Sequence, residues 1–140
     1  MPLIEIKKSR WGVYCYQDED GVCDFENYME SIGEKDANII YAQIERLADH
    51  GFSGLSTEIF HQSAVNNEVR INKGKENERM YHMYGLHRGR NKHRLYCILQ
   101  DLDKFIVFTH GELKHSQKTD KKDIKKFKDI VQLLHEEGEL

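Results

Sequence analysis

Alternation of apolar and polar positions at the start of the chain predicts two strands, Leu3–Ile6 and Gly12–Gln17. An acidic turn separates the second strand from a short helix that we expect Asp24 to cap. A longer helix is predicted from about Glu34 to His50, where apolar residues recur every three or four positions. The two helices are joined so closely that a helical hairpin is expected.

After the second predicted helix, apolar and polar residues alternate with a period of two, which is typical of strands. Glu68–Asn72 alternates cleanly, and three further segments are predicted as strands: Arg79–Leu86, Arg94–Gln100 and Phe105–Thr109. Strands joined by short turns pair antiparallel. A last helix, capped by Thr119 or Asp120, is indicated by the apolar stripe Ile124, Phe127, Val131 and Leu134.

This order of elements predicts an α+β fold in which the helical hairpin and the C-terminal helix pack on one face of a mostly antiparallel sheet. The 140 residues suffice for one domain with its own core, so we expect a single domain over residues 1–140. No linker, repeat or low-complexity block interrupts the pattern.

The composition of the chain bears on whether the protein is secreted, inserted in a membrane or cytoplasmic. The longest stretch free of Asp, Glu, Lys and Arg is Ile59–Asn67, well short of the roughly 20 apolar residues that a membrane-spanning helix needs. The first residues lack the apolar core of a secretory signal. Three cysteines, an odd number without a Cys-x-x-Cys pair, favour reduced thiols over a disulfide framework. A cytoplasmic location is therefore expected.

Charge is distributed unevenly along the chain. Residues 1–60 carry 5 basic and 12 acidic side chains, a net −7, whereas residues 61–122 carry 13 basic and 7 acidic, a net +6. Residues 123–140 add 3 basic and 5 acidic, which gives the overall −3. Histidine and aromatic residues are interleaved in the basic part, as a polyanion-binding site would require, although an uneven but merely solvated surface explains the same charges.

One segment of the basic part carries a specific motif. Residues 106–119 read Ile-Val-Phe-Thr-His-Gly-Glu-Leu-Lys-His-Ser-Gln-Lys-Thr, and they follow Glu68-Val69-Arg70 and Arg94-Leu95-Tyr96. This series resembles the RelE/ParE toxin superfamily, and most closely its HigB-like branch. The sequence departs from the family pattern at Leu113, where Phe is usual, at His115, which replaces a Lys, and at Asp120, which replaces a Pro.

The resemblance implies a RelE-like fold and the toxin of a type II toxin–antitoxin system. HigB-like members are ribosome-dependent mRNA endoribonucleases, or mRNA interferases, which cleave through the 2′-OH without metal or cofactor. The implied partners are a cognate antitoxin of the helix-turn-helix type, the ribosome and mRNA. Two alternatives stay open: a ParE-like toxin that poisons gyrase, and a non-catalytic member of the fold that only binds nucleic acid or a partner.

Metal-free RNA cleavage needs a base for the 2′-OH, cations for the charge gained at phosphorus, and an acid for the leaving 5′-oxygen. The resemblance assigns the catalytic roles to Arg70, Arg94 and His110. We expect the two arginines on neighbouring strands to hold the scissile phosphate, and His110 to transfer protons, because imidazole titrates near neutral pH. His110 is expected to end its strand in phase with Ile106 and Phe108, on an open sheet face.

The remaining site residues are expected to hold flanking phosphates, and they are Lys114, His115 and Lys118. Each candidate also has an ordinary structural explanation. Either arginine can form a salt bridge, His110 can bond a backbone carbonyl, and the lysines can simply be solvated. A zinc site built from Cys15, Cys23 and histidines is disfavoured, because no pair of ligands shows metal-site spacing.

Overall fold

The fold is described from a computed structural model, which covers residues 2–51, 60–62, 68–71, 76, 79–88, 93–100, 104–113 and 121–140. Within these ranges the chain forms seven strands and three helices. The strands are β1 (Leu3–Lys8), β2 (Gly12–Tyr16), β3 (Phe60–Gln62), β4 (Glu68–Ile71), β5 (Arg79–Arg88), β6 (His93–Gln100) and β7 (Phe105–Leu113). The helices are α1 (Asp24–Ser31), α2 (Glu34–His50) and α3 (Lys121–Glu136). The predicted helical hairpin and the predicted strands are therefore confirmed within a residue or a few, and β3 is an addition.

The strands form one sheet in the order β1-β2-β7-β6-β5-β3, and β4 pairs with β5 off this path. Every described pairing is antiparallel except that of β2 with β7, in which Val13 lies beside Ile106. The connection between the parallel strands β2 and β7 is long, as such pairing requires, and it includes α1, α2 and the strands β3 to β6. The helices α1 and α2 lie on the sheet. The α+β class with a mostly antiparallel sheet is thus what the structure shows.

Helices cover both faces of the sheet, so the expectation of a single covered face is wrong. On one face, α1 and α2 pack on the alternate residues Leu95 and Cys97 of β6 and Ile106 and Phe108 of β7. On the other face, α3 packs on Tyr96, Ile98 and Val107 through Phe127, Ile130, Val131 and Leu134. Because both sets of strand positions are apolar at the centre, each face has its own core.

The start of α1 also differs from expectation. The N-cap residue is Cys23 and makes no side-chain capping bond, while Asp24 is the first helical residue. The Asp24 carboxylate forms an ion pair with Lys126 of α3 instead. A carboxylate in the first turn still interacts favourably with the helix dipole, so the acidic start of the helix keeps its local role.

The end of α2 is set by Gly51, which has φ 62° and donates its backbone N–H to the Leu47 carbonyl. A Cβ at Gly51 would lie 2.6 Å from the Trp11 indole. The turn therefore needs glycine for both its backbone conformation and the space that Trp11 occupies.

Among the described residues, no helix is both long and apolar enough to cross a bilayer.

Candidate functional site

The position of His110 is decided by an irregularity in β7. Along β6 and β7, Cys97 pairs with Phe108 but Tyr96 pairs with His110, so Thr109 is an extra residue in β7. A bulge of this kind shifts the later residues to the opposite face of the sheet. His110 therefore lies on the α3 face, and the expectation that it is in phase with Ile106 and Phe108 is wrong.

The strand also continues past His110 to Leu113, and the face on which His110 lies is covered rather than open. His110 is 4% exposed, and Arg94 on the adjoining strand is 7% exposed. The sequence could not show this, because the bulge has no signature in the alternation of residues.

Both ring nitrogens of His110 are engaged inside the protein. Nδ1 lies 2.8 Å from the Thr109 hydroxyl, and Nε2 lies 3.1 Å from Oδ1 of Asp123 in the first turn of α3. The Thr109 hydroxyl also lies 3.3 Å from the Tyr96 carbonyl oxygen. The Thr109 hydroxyl has a single proton, so it donates either to the Tyr96 carbonyl or to Nδ1, not to both. A neutral ring whose Nε2–H donates to Asp123 takes that proton at Nδ1, and the contact with the carbonyl is then not a hydrogen bond.

Burial lowers the pKa of His110 to about 4, and the positive charge of Lys126 adds to that effect, while Glu112 and Asp24 oppose it. The imidazole is consequently neutral at neutral pH in this conformation. The other carboxylate oxygen, Oδ2 of Asp123, is buried and has no hydrogen-bond partner among the described residues. A buried carboxylate oxygen without a partner is costly, so a water molecule or another donor beside it would be stabilising.

The cluster continues across the sheet through Tyr96. The Tyr96 and His110 rings lie with centroids 5.0 Å apart, and the Tyr96 hydroxyl donates to Oε1 of Glu112 over 2.8 Å. Burial, together with that hydrogen bond, raises the pKa of Tyr96 above its ordinary value, so the phenol stays protonated. Arg94 lies directly opposite Glu112 in the strand register, which places opposite charges side by side.

We call these residues the α3-face cluster: Arg94, Tyr96, Thr109, His110, Glu112 and Asp123. Sequence reasoning identified only Arg94 and His110. Tyr96, Thr109 and Glu112 lie within the motif segments but received no role from the sequence, whereas Asp123 joins the cluster only through the packing of α3.

Arg70 lies outside the α3-face cluster. Both β4 and β6 pair with β5, but Arg70 is opposite Met80 and Arg94 is opposite His87. Those partners are seven positions apart on β5, roughly 23 Å of extended strand. The two arginines are therefore not on neighbouring strands, contrary to expectation. Lys114, His115 and Lys118 lie outside the described residues, as do the predicted caps Thr119 and Asp120.

A second buried histidine, which sequence reasoning did not select, links three elements on the opposite face. Nδ1 of His93 contacts the Tyr28 hydroxyl at 2.5 Å, and Nε2 contacts Oδ2 of Asp36 at 3.1 Å. Burial raises the pKa of Tyr28 to about 12. The bonds join β6 to α1 and α2, so this group fixes the helical hairpin on the sheet.

The cysteines offer the one grouping of metal-ligating type found within the described ranges. The Sγ atoms of Cys15 and Cys23 are 3.3 Å apart, and a Glu26 carboxylate oxygen joins them within 4.8 Å. Burial raises the pKa of Cys15, which opposes the thiolate that a metal would need. The third group is a glutamate rather than the histidine considered from the sequence.

Chemically, the α3-face cluster combines a neutral imidazole, a guanidinium, a phenol and two carboxylates, which are held by two adjacent strands and α3. These groups can transfer a proton and stabilise an added negative charge, provided that a substrate can reach them. Comparisons of the chain with family models, with curated proteins and with solved structures find no match.

Proposed function

We propose that the chain is the toxin of a type II toxin–antitoxin pair and acts as a ribosome-dependent mRNA endoribonuclease. The resemblance of residues 106–119 to the HigB-like motif and the order of helices and strands support the proposal. The observation on which the proposal depends is that two motif residues, Arg94 and His110, lie in one buried polar cluster. Buried titratable groups with shifted pKa values are most common at functional sites.

In the proposed reaction the 2′-OH attacks the adjacent phosphorus, the P–O5′ bond breaks, and a 2′,3′-cyclic phosphate and a 5′-hydroxyl end result. His110 transfers a proton to or from one of these oxygens, and Arg94 stabilises the charge gained by the phosphate. Lys114, His115 and Lys118 hold flanking phosphates. The distance of Arg70 along the sheet makes it a contact to a more remote part of the RNA rather than a second ligand of the scissile phosphate.

RNA reaches His110 only after Asp123 and the first turn of α3 move away. Once the ring is exposed to water, its pKa returns toward the ordinary value of about 6.5, where imidazole is an effective acid or base. The resting conformation is then an inactive one, and the ribosome–mRNA complex stabilises the open one by binding it better. An antitoxin neutralises the toxin by covering the same region.

The burial of His110 favours a second candidate, a non-catalytic member of the fold that binds nucleic acid or a partner protein. In that case the Thr109–His110–Asp123 bonds are purely structural, and the histidine never meets RNA.

The test is inducible expression in a bacterial host, with growth recorded and mRNA 5′ ends mapped by primer extension. The proposal expects new mRNA ends within minutes, and their loss in His110→Ala and Arg94→Ala. General acid–base groups contribute about 10²–10⁴-fold, so His110→Ala lowers cleavage by that factor. Lys118→Ala weakens cleavage less, and low salt partly restores it, because it removes only a phosphate contact.

His50→Ala serves as the matched control, since His50 is an exposed histidine at the end of α2. Circular dichroism and thermal unfolding establish that each variant is folded. Full toxicity of folded His110→Ala and Arg94→Ala, without new mRNA ends, contradicts the endoribonuclease proposal. Inhibition of gyrase supercoiling by the same preparations would instead identify the ParE-like alternative.

A further inference from the structure

A pocket of about 460 Å³ lies at the far end of β7 from His110. It is formed by the β1–β2 turn, the start of β7 and the C-terminal tail, and its lining includes Lys8, Arg10, Tyr14, Lys104, Phe105 and Glu139. Its volume falls within the range of roughly 300–1,000 Å³ that small-molecule sites occupy. Phe105 and His110 are five positions apart, about 16 Å of strand, so this pocket is separate from the α3-face cluster.

Three positive side chains converge on the pocket. Lys8, Arg10 and Lys104 are exposed, and none of them joins an ion pair within the described part of the chain. Glu139 is the one acidic side chain on the lining, so the pocket keeps a net positive charge that a bound anion neutralises. Lysine and arginine donors together suit a phosphate group, which accepts several charge-assisted hydrogen bonds.

The backbone conformation of Lys104 is unusual. Lys104 has φ 53°, the only positive φ at a non-glycine position among the described residues. Its carbonyl accepts the Gly12 N–H over 3.0 Å, which fixes the start of β7 against β2. A left-handed lysine costs about 1–2 kcal/mol, and such conformations are found in turns and also cluster at functional sites.

An aromatic wall completes the pocket. The Tyr14 and Phe105 rings meet edge to face with centroids 6.4 Å apart. Tyr14 lies directly over Gly12, where a Cβ would come within 2.7 Å of its ring. Flat aromatic surfaces beside cations are suited to a ligand that joins a planar ring to a phosphate. The Glu139 carboxylate on the lining can accept hydrogen bonds from hydroxyl or amino groups.

We propose that this pocket binds a nucleoside monophosphate, with the phosphate between Lys8, Arg10 and Lys104 and the base against Tyr14 and Phe105. The proposal does not depend on RNA cleavage, because it concerns a different surface and a free small molecule.

The test is isothermal titration calorimetry of the full chain with adenosine 5′-monophosphate, ribose 5-phosphate, adenosine and inorganic phosphate. Saturable binding is expected for the nucleotide, with weaker binding of all three fragments and a loss of affinity between 50 and 200 mM salt. Lys104→Gly and Arg10→Gln each weaken nucleotide binding roughly tenfold, because each removes a charge-assisted contact. Glycine is the appropriate replacement at position 104, since it adopts the positive φ without strain.

Lys7→Gln is the matched control. It removes one positive charge from the same strand, but Lys7 pairs with Glu45 of α2 at 3.7 Å and is absent from the pocket lining. Unchanged affinity in Lys7→Gln supports the pocket as the site. The proposal is overturned if the nucleotide does not bind, if Lys7→Gln weakens it as much as Lys104→Gly, or if inorganic phosphate binds equally well.

Discussion

His110 lies directly opposite Tyr96 across β6 and β7, with the two ring centroids 5.0 Å apart. Without Thr109 as an extra residue, the regular alternation of β7 would turn His110 toward α1 and α2, away from Asp123. One inserted residue therefore decides which helix the histidine contacts.

Replacing Thr109 by valine removes the hydroxyl that lies 2.8 Å from Nδ1 of His110 while keeping the shape of the side chain. The buried nitrogen then lacks a donor, so we expect the free energy of unfolding to fall by about 1–3 kcal/mol. Urea denaturation measures the change. In a His110→Phe background the same substitution should cost clearly less, and an equal cost in both backgrounds would disprove the hydrogen bond.

Stability should decrease as the pH falls from about 6.5 to 4, partly because of His110. The folded protein holds the pKa of His110 at about 4, whereas the unfolded chain has the ordinary value of about 6.5. Between these values the unfolded state binds the additional proton, so folding loses up to about 3 kcal/mol, and above pH 6.5 the full stability is present.

His110→Gln should flatten this part of the profile of unfolding free energy against pH, relative to the unmodified protein. A His110→Gln profile parallel to that of the unmodified protein would show that His110 titrates normally.

Gly51→Ala should destabilise the fold more than Gly33→Ala. Both glycines have positive φ, 62° and 89°, with ψ of −138° and 155°, a region that essentially only glycine adopts, so both substitutions strain the backbone by about 1–3 kcal/mol. Only at Gly51 would the new Cβ meet a side chain, that of Trp11 at 2.6 Å, whereas nothing lies within 4 Å at Gly33. Crowding should add about 1–3 kcal/mol at Gly51. Thermal unfolding compares the two, and equal midpoints would contradict the contact with Trp11.

Tyr28→Phe should weaken the attachment of the helical hairpin. Its hydroxyl is the partner of Nδ1 of His93, and its removal leaves that buried nitrogen unsatisfied, at a cost of about 1–3 kcal/mol. Tyr41→Phe is the control, because Tyr41 is 37% exposed, and we expect a change below about 0.5 kcal/mol. Similar losses of unfolding free energy in the two variants would rule out a structural role for the Tyr28–His93 bond.

The periodicity of apolar residues predicted the helices and strands, because these depend on local sequence. It did not predict the features that depend on contacts between residues far apart in the chain. The spacing of apolar residues was sufficient to place both α1 and α2. The alternation of β6 is also present in the structure, where Leu95 and Cys97 face the helical hairpin and Tyr96 and Ile98 face α3. The burial of Arg94 was not predictable, because a charged residue on an alternating strand normally indicates a solvent-exposed face.

The site was only partly accessible to sequence reasoning for the same reason. The motif led to Arg94 and His110, which do lie together. Asp123 contacts His110 through the docking of a helix, and Arg70 is separated from Arg94 by the register of β4 and β6 on β5. Neither the contact of Asp123 with His110 nor the separation of the two arginines can be deduced from the spacing of residues in the sequence.

The parallel pairing of β2 with β7 also governs how the chain reaches its native state. Val13 and Ile106 pair across 93 positions of sequence. Closing so long a loop is entropically costly and slows the search for the native topology. During synthesis, α1 and α2 emerge long before the β7 residues Ile106 and Phe108 on which their core rests. The first third of the chain therefore stays incompletely packed until the last third has left the ribosome.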